Sequence, residues 1–283
     1  MKPRDRADFS ALPDRPALAL PDGLRLVIWP IVNLEVWEIE RPMARQVLPA
    51  PTGVAVQPDL ANWSWHEYGM RVGVWRFFDA LDRVGARATL SINAGVVDVY
   101  PRVAAAARER QWEFMGHSDV QRPIHQIEDQ RAMIGSVLDR LESFTGTRPR
   151  GWLGPGLTET YETPDLLAEA GVQYIGDWVY DDEPTVLRTA HGPLVTLPYT
   201  VELNDIPMMM VQHHTSDVFL ARARDQFDRL YAESADRAKV LCFAIHPYIS
   251  GVPHRIKYLE TFLDYARGHA GVDFWTGAEI LDW

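Results

Sequence analysis

Short apolar runs that break into polar residues, each followed by helical periodicity, recur about seven times along this chain. No other sequence feature limits its fold so tightly. The first run, Arg25 to Leu34 (RLVIWPIVNL), is apolar and β-branched, with Pro30 locally interrupting its ladder. ATLSIN (Ala88 to Asn93), the Phe/Met run stopped by Gly116, RGWLGPG from Arg150, VQYIGDW from Val172, KVLCFAIHP from Lys239 and VDFWT from Val272 read as strands too. Val186 to Thr200 reads as two extended segments around His191-Gly192, and Met208 to Val211 as a further strand. Helical spacing places Val74, Phe78 and Leu81 on one face, with Gly85 closing the helix. It also groups Ile127, Ile134, Leu138 and Leu141 ahead of Gly146, and a helix opening at Ser216 carries Leu220, Phe227 and Leu230. This is the pattern of a parallel α/β protein, and at 283 residues a distorted (β/α) barrel of about seven strands is favoured over an open sheet. Composition does not shift midway, so one domain over residues 1–283 is expected. Residues 1–23, with four prolines and no periodicity, would form an irregular arm.

Thirty-nine acidic residues against 28 basic ones give a formal charge of −11, which argues against nucleic acid or an anionic membrane as partner. Cys242 is the single cysteine, so a disulfide framework or a cysteine metal site within one chain is excluded. The start has charges and prolines where a secretory apolar region would be, and no apolar run is long enough to span a bilayer. A soluble, cytoplasmic protein acting on a small molecule is the expectation. Neither a GxGxxG nor a phosphate-binding GxxxxGK[ST] motif is present.

The polar residues collect at strand ends. Successive strands finish in Asn33 and Glu35, in His117, in Asp177 with Asp181 and Asp182, and in His246. If the strands are parallel, these ends share one rim, where such folds place their chemistry. A carboxylate and two histidines there suit general acid/base hydrolysis. Plainer roles stay open: Glu35 as a helix cap, Asp181 as a turn residue, His246 as a hydrogen-bonded core histidine. Trp37, Trp152 and Trp178 also stand at strand ends, as core or as aromatic walls for a ring-shaped substrate.

The motifs NLEVWE, EYGMRVGVWR, EFMGHS, RPRGW, YDDEP, LPYTVELND and IHPYISGVPHR, in this order from about Arg25 to Trp283, resemble the polysaccharide deacetylase (NodB-homology) superfamily. More closely they resemble its branch of metal-independent allantoinases. The resemblance implies a NodB-type barrel, a hydrolase of non-peptide carbon–nitrogen bonds, and a homo-oligomer, a tetramer. Where metal-dependent members carry paired aspartates and a His-x-x-x-His pair, this chain has Asn33-Leu34-Glu35 and His117 followed by Gln121, and Leu153 stands where an arginine is expected. Gln121 cannot supply a nitrogen ligand to zinc. No cofactor is therefore expected; zinc held by Glu35, His117 and His125 is the alternative.

The expected reaction opens a small cyclic amide of allantoin, hydantoin or imide type. Glu35 would act as base, His117 would orient water or substrate, His246 would protonate the leaving nitrogen or stabilise the oxyanion, and Asp181 would hold a histidine in its tautomer. Asn33, Trp37, Trp152, Asp177, Trp178, Asn204 and His254 are the expected substrate contacts. The alternatives are a metal-dependent N-acetyl-sugar deacetylase and a non-catalytic binding member. Met208 to Met210 and the C-terminal FWTGAEILDW are candidate oligomer surfaces.

Overall fold

A computed structural model describes residues 1–46, 48–49 and 53–283; residues 47 and 50–52 of the Pro-rich connection from Arg41 to Asn62 lie outside the described residues. Nine strands form one sheet: β1 (Leu26–Leu34), β2 (Thr89–Ile92), β3 (Glu113–Gly116), β4 (Gly151–Trp152), β5 (Tyr174–Ile175), β6 (Thr185–Thr189), β7 (Gly192–Thr196), β8 (Lys239–Ile245) and β9 (Val272–Phe274). Their order is β6-β7-β5-β4-β3-β2-β1-β8, with β9 paired to the first half of β1. All pairs are parallel except the β6–β7 hairpin, which forms around the expected His191-Gly192 turn. The run β7-β5-β4-β3-β2-β1-β8 supplies seven parallel strands. The chain after β7 returns to β8 through one parallel bridge, Asn204 to Ala244, making a distorted (β/α) barrel.

Side-chain alternation along the strands decides what faces the barrel interior. Val27, Trp29 and Ile31 of β1, Met115 of β3, Tyr174 of β5, and Val240, Cys242 and Ala244 of β8 pack together inside, with Leu153, Leu197 and Tyr199 above them. The intervening residues Leu26, Ile28, Val32, Leu34, Leu241, Phe243 and Ile245 pack outward against the helices. The C-terminal segment plugs the bottom of the barrel. Thr276 and Glu279 form a capping box, Gly277 N donates to Thr89 Oγ1 at 2.9 Å, and Ile280 joins the interior cluster.

The helix expected over Ile127 to Phe144 spans Gln130–Thr145, capped by Asp129 and closed by Gly146 at φ 78°. Two expectations fail. Met208 to Val211 is no strand but part of a π-helical turn, Ile206–Val211, opened by Asp205 and Pro207; Met208 and Met209 are buried and so are no oligomer surface. A run of methionines carries no alternation, and methionine favours helix over strand. The arm is irregular apart from short helical turns at Pro3–Arg6 and Leu12–Asp14, and it is pinned. Arg6, 1% exposed, forks onto Asp165 at 3.0 and 2.7 Å.

Candidate active site

The interior-facing column of each strand continues one step past its C-terminal end, and those steps are the site. Asn33 and Glu35 extend the parity of Val27, Trp29 and Ile31; His117 extends that of Met115; His246 extends that of Cys242 and Ala244. These four residues, with Arg45, Gln121, Leu153, Tyr199 and Asn204, line a cavity of about 200 Å³. Asn93, just past β2, braces its floor: Oδ1 accepts from Val36 N at 2.8 Å and Nδ2 donates to the His117 carbonyl.

Glu35 is 2% exposed. Its Oε2 accepts from Trp37 Nε1 at 2.8 Å, and Oε1 lies 3.6 Å from His246 Nε2. Burial pushes its carboxyl up, but the His246 cation, then Arg45 and His117, outweigh that and hold it well below the usual carboxylate range. His246 faces Asp205 on its other side, with Nδ1 at 2.7 Å from Oδ1. Burial opposes the charge on His246, yet Asp205 and Glu35 together raise its pKa, favouring the imidazolium form between two carboxylates. Asp205 is fully buried and also accepts from His246 N at 2.8 Å and Ser250 Oγ at 2.7 Å.

His117 is the opposite case. Burial lowers its pKa to about 4, so it is neutral at pH 7. Its Nδ1–H donates to the Leu153 carbonyl, which leaves Nε2 as a buried acceptor beside the Gln121 side chain. Arg45 arrives from the Pro-rich connection and donates to Tyr248 OH at 2.6 Å. Glu35 and Asp205 are thus balanced by His246 and Arg45, and the cavity is close to neutral. His66, from the helix Leu60–Tyr68, stacks on Trp37 with ring centres 4.6 Å apart.

The motif EYGMRVGVWR has a packing explanation. Gly69 and Gly73 bound a π-helical turn pressed onto the segment after His246. A Cβ at Gly69 would lie 2.5 Å from Tyr248 N, and one at Gly73 would lie 2.1 Å from Pro247 O. Only glycine permits that approach, which fixes the backbone beside the imidazole.

Several expected site residues stand elsewhere. Asp181 is held by Arg15 at 2.7 Å beside the arm, outside the cavity; Asp205 is the carboxylate that orients a histidine. The last residue of LPYTVELND signalled Asp205, but the irregular chain between Leu197 and Asp205 gave no periodicity to place it. Trp152 has the outward parity of β4 and is fully buried against the helices. Asp177, also outward, is buried behind the cavity wall, with Oδ1 accepting from Gly154 N at 2.6 Å. Burial, then the adjoining Glu159, raises its pKa well above the usual range. Trp178 Nε1 donates to the same Glu159 at 2.8 Å rather than forming a cavity wall. Trp37 touches Glu35 instead of lining the cavity, and Asn204 lines it with both amide atoms engaged, by Tyr199 and Ile206. His254 is exposed outside the cavity.

A divalent ion does not fit these donors. His125 is exposed and outside the cavity, Gln121 replaces the second histidine, and the Glu35 oxygens face Trp37 and His246. Among the described residues, no group of three His, Cys, Asp or Glu side chains is placed to hold an ion. Nor is any helix among them long and apolar enough to cross a membrane.

No family model matches the sequence. Over 230 residues, 74% of this chain and 71% of the relative, it is 26% identical to a Schizosaccharomyces pombe protein named as a polysaccharide deacetylase. A second relative, a peptidoglycan deacetylase of Helicobacter pylori, is 25% identical over 55% of this chain and 63% of its own. Among solved structures, PuuE allantoinase superposes with a TM-score of 0.87 at 27% identity, covering 100% of this chain and 97% of its own. A Pseudomonas aeruginosa PAO1 protein assigned as a polysaccharide deacetylase gives 0.82 at 28% identity, over 95% and 94%. With the barrel and the rim residues in place, the chain is similar in fold and sequence to polysaccharide deacetylases and to PuuE allantoinase, which is consistent with the NodB-homology superfamily of carbon–nitrogen hydrolases and its allantoinase-like branch.

Proposed function

We propose that this hydrolase opens a small, uncharged cyclic amide, a hydantoin, allantoin or imide, by side-chain acid/base chemistry without a metal ion. The observation that carries the reading is the pairing of Glu35 Oε1 with His246 Nε2, 3.6 Å apart, at a cavity of about 200 Å³. That volume falls below the roughly 300–1,000 Å³ typical of drug-sized ligands and suits one small ring.

Water held at His117 Nε2 attacks the ring carbonyl, and Glu35 takes its proton. His246 Nε2 delivers a proton to the departing nitrogen. The two transfers assist one another: as His246 gives up its charge, the cation that depressed the Glu35 pKa disappears and Glu35 becomes the stronger base. Asp205 keeps Nδ1 protonated, so that the transferable proton sits on Nε2.

The test is turnover of hydantoin, allantoin, dihydrouracil and succinimide by the purified protein, before and after chelation, with release of acetate from N-acetylglucosamine oligomers as the competing activity. Ring opening that survives chelation is expected, and Glu35→Gln should lower it by about 10²–10⁴-fold while the protein stays folded. Metal-dependent acetate release with no ring opening would establish the deacetylase alternative instead.

A further inference from the structure

Gln121 stands in the cavity with no task assigned to it. Its backbone amide donates to Val36 O at 3.0 Å, which fixes the loop beside Glu35. Its side chain faces His117 in the same cavity, and with the His117 proton on Nδ1 neither Gln121 Oε1 nor His117 Nε2, both buried, receives a donor from the protein. The other polar groups there have partners: Glu35 has Trp37 and His246, Asn33 Nδ2 has the Ile245 carbonyl, and Asn204 has Tyr199 and Ile206. A cavity left with two unmatched acceptors is shaped for a ligand that brings donors.

Water takes the acceptor on His117, so Gln121 Oε1 is left for a donor that the substrate itself carries. We propose that Gln121 is a specificity-determining residue, accepting a ring N–H of the substrate, so that the site demands a secondary amide and rejects its N-alkylated counterpart. The inference rests on the cyclic-amide reading above. Gln121 also borders a second hollow of about 240 Å³ walled by Trp37, Pro42, Met43 and Pro123.

The experiment measures kcat/KM for hydantoin and its two N-methyl derivatives with the wild type, Gln121→Ala and Gln121→Glu. The wild type should favour hydantoin over the derivative methylated at the nitrogen that is read by roughly 10- to 100-fold. Gln121→Ala should erase that ratio by slowing hydantoin, chiefly through KM, and Gln121→Glu, which keeps an acceptor in place, should restore much of it. A wild type that opens all three equally well overturns the inference and leaves the function standing. So does a Gln121→Ala variant that speeds the methylated substrate while hydantoin turnover is unchanged, since Gln121 would then be only a steric wall. A wild type that opens none of the three refutes the cyclic-amide reading itself, and the inference with it.

Discussion

Replacing Asp205 by Asn tests the acid more sharply than removing the histidine. Asp205 accepts three hydrogen bonds, from His246 Nδ1 at 2.7 Å, His246 N at 2.8 Å and Ser250 Oγ at 2.7 Å. An amide has one oxygen. If it faces Nδ1, the buried N–H and hydroxyl meet an NH₂ group; if it faces them, the imidazole loses its acceptor. A hydrogen bond to a charged group is worth about 1.5–3 kcal/mol. At 1.36 kcal/mol per unit, the His246 pKa should therefore fall by about 1–2 units. The assay is kcat against pH with a ring substrate. His246 acts as an acid, so wild-type activity persists until the pH rises through its elevated pKa. The alkaline limb of the variant should move down by that interval, with kcat reduced by up to about 10- to 100-fold at pH 8. Stability follows the same sign: a raised histidine pKa contributes fully below about pH 6.5 and is lost as the pH climbs through the folded value, so the deficit of the variant should be largest in mild acid. An alkaline limb that stays in place would refute the assignment of Asp205 as the partner that charges His246.

His66 and His117 behave the other way. Burial lowers both to about 4, so the unfolded chain binds protons that the folded one refuses, and stability should fall as the pH drops from about 6.5 toward 4, by up to about 1.36 kcal/mol per pH unit for each. Urea titrations at pH 7.5 and 5.0 measure this, and His66→Gln should flatten the slope; equal slopes would contradict the burial of His66. Gly73→Ala should cost about 1–3 kcal/mol and lower activity, because its Cβ would lie 2.1 Å from Pro247 O. Gly135→Ala, with open space around the added atom in the middle of a helix, should be neutral or stabilising by roughly 0.5–1 kcal/mol, and thermal melts of the two variants check the contrast.

Much of the rim was legible from the chain because alternation along a strand is a local property. Val27, Trp29, Ile31, Asn33 and Glu35 share one parity, as do Val240, Cys242, Ala244 and His246, and both columns end in the cavity. The same rule, applied to Trp152 and Asp177, would have turned them away from it. What could not be read was pairing at a distance. Nothing near Asp181 signals Arg15, 166 positions earlier, and nothing near Arg45 signals Tyr248, 203 positions later. Asp205 was missed because the segment that carries it belongs to no periodic element, and His125 and His254 because loop conformation decides their exposure.

The barrel's last joint gives the acid a second meaning. Among the described residues, the chain after β7 meets β8 through the single bridge Asn204–Ala244, and the next residue along, Asp205, reaches across to His246. The proton that the proposed reaction assigns to His246 therefore sits on the fastening of the cylinder. Parting that joint would take Asp205 from His246, so on the proposed mechanism an opened barrel should be chemically silent.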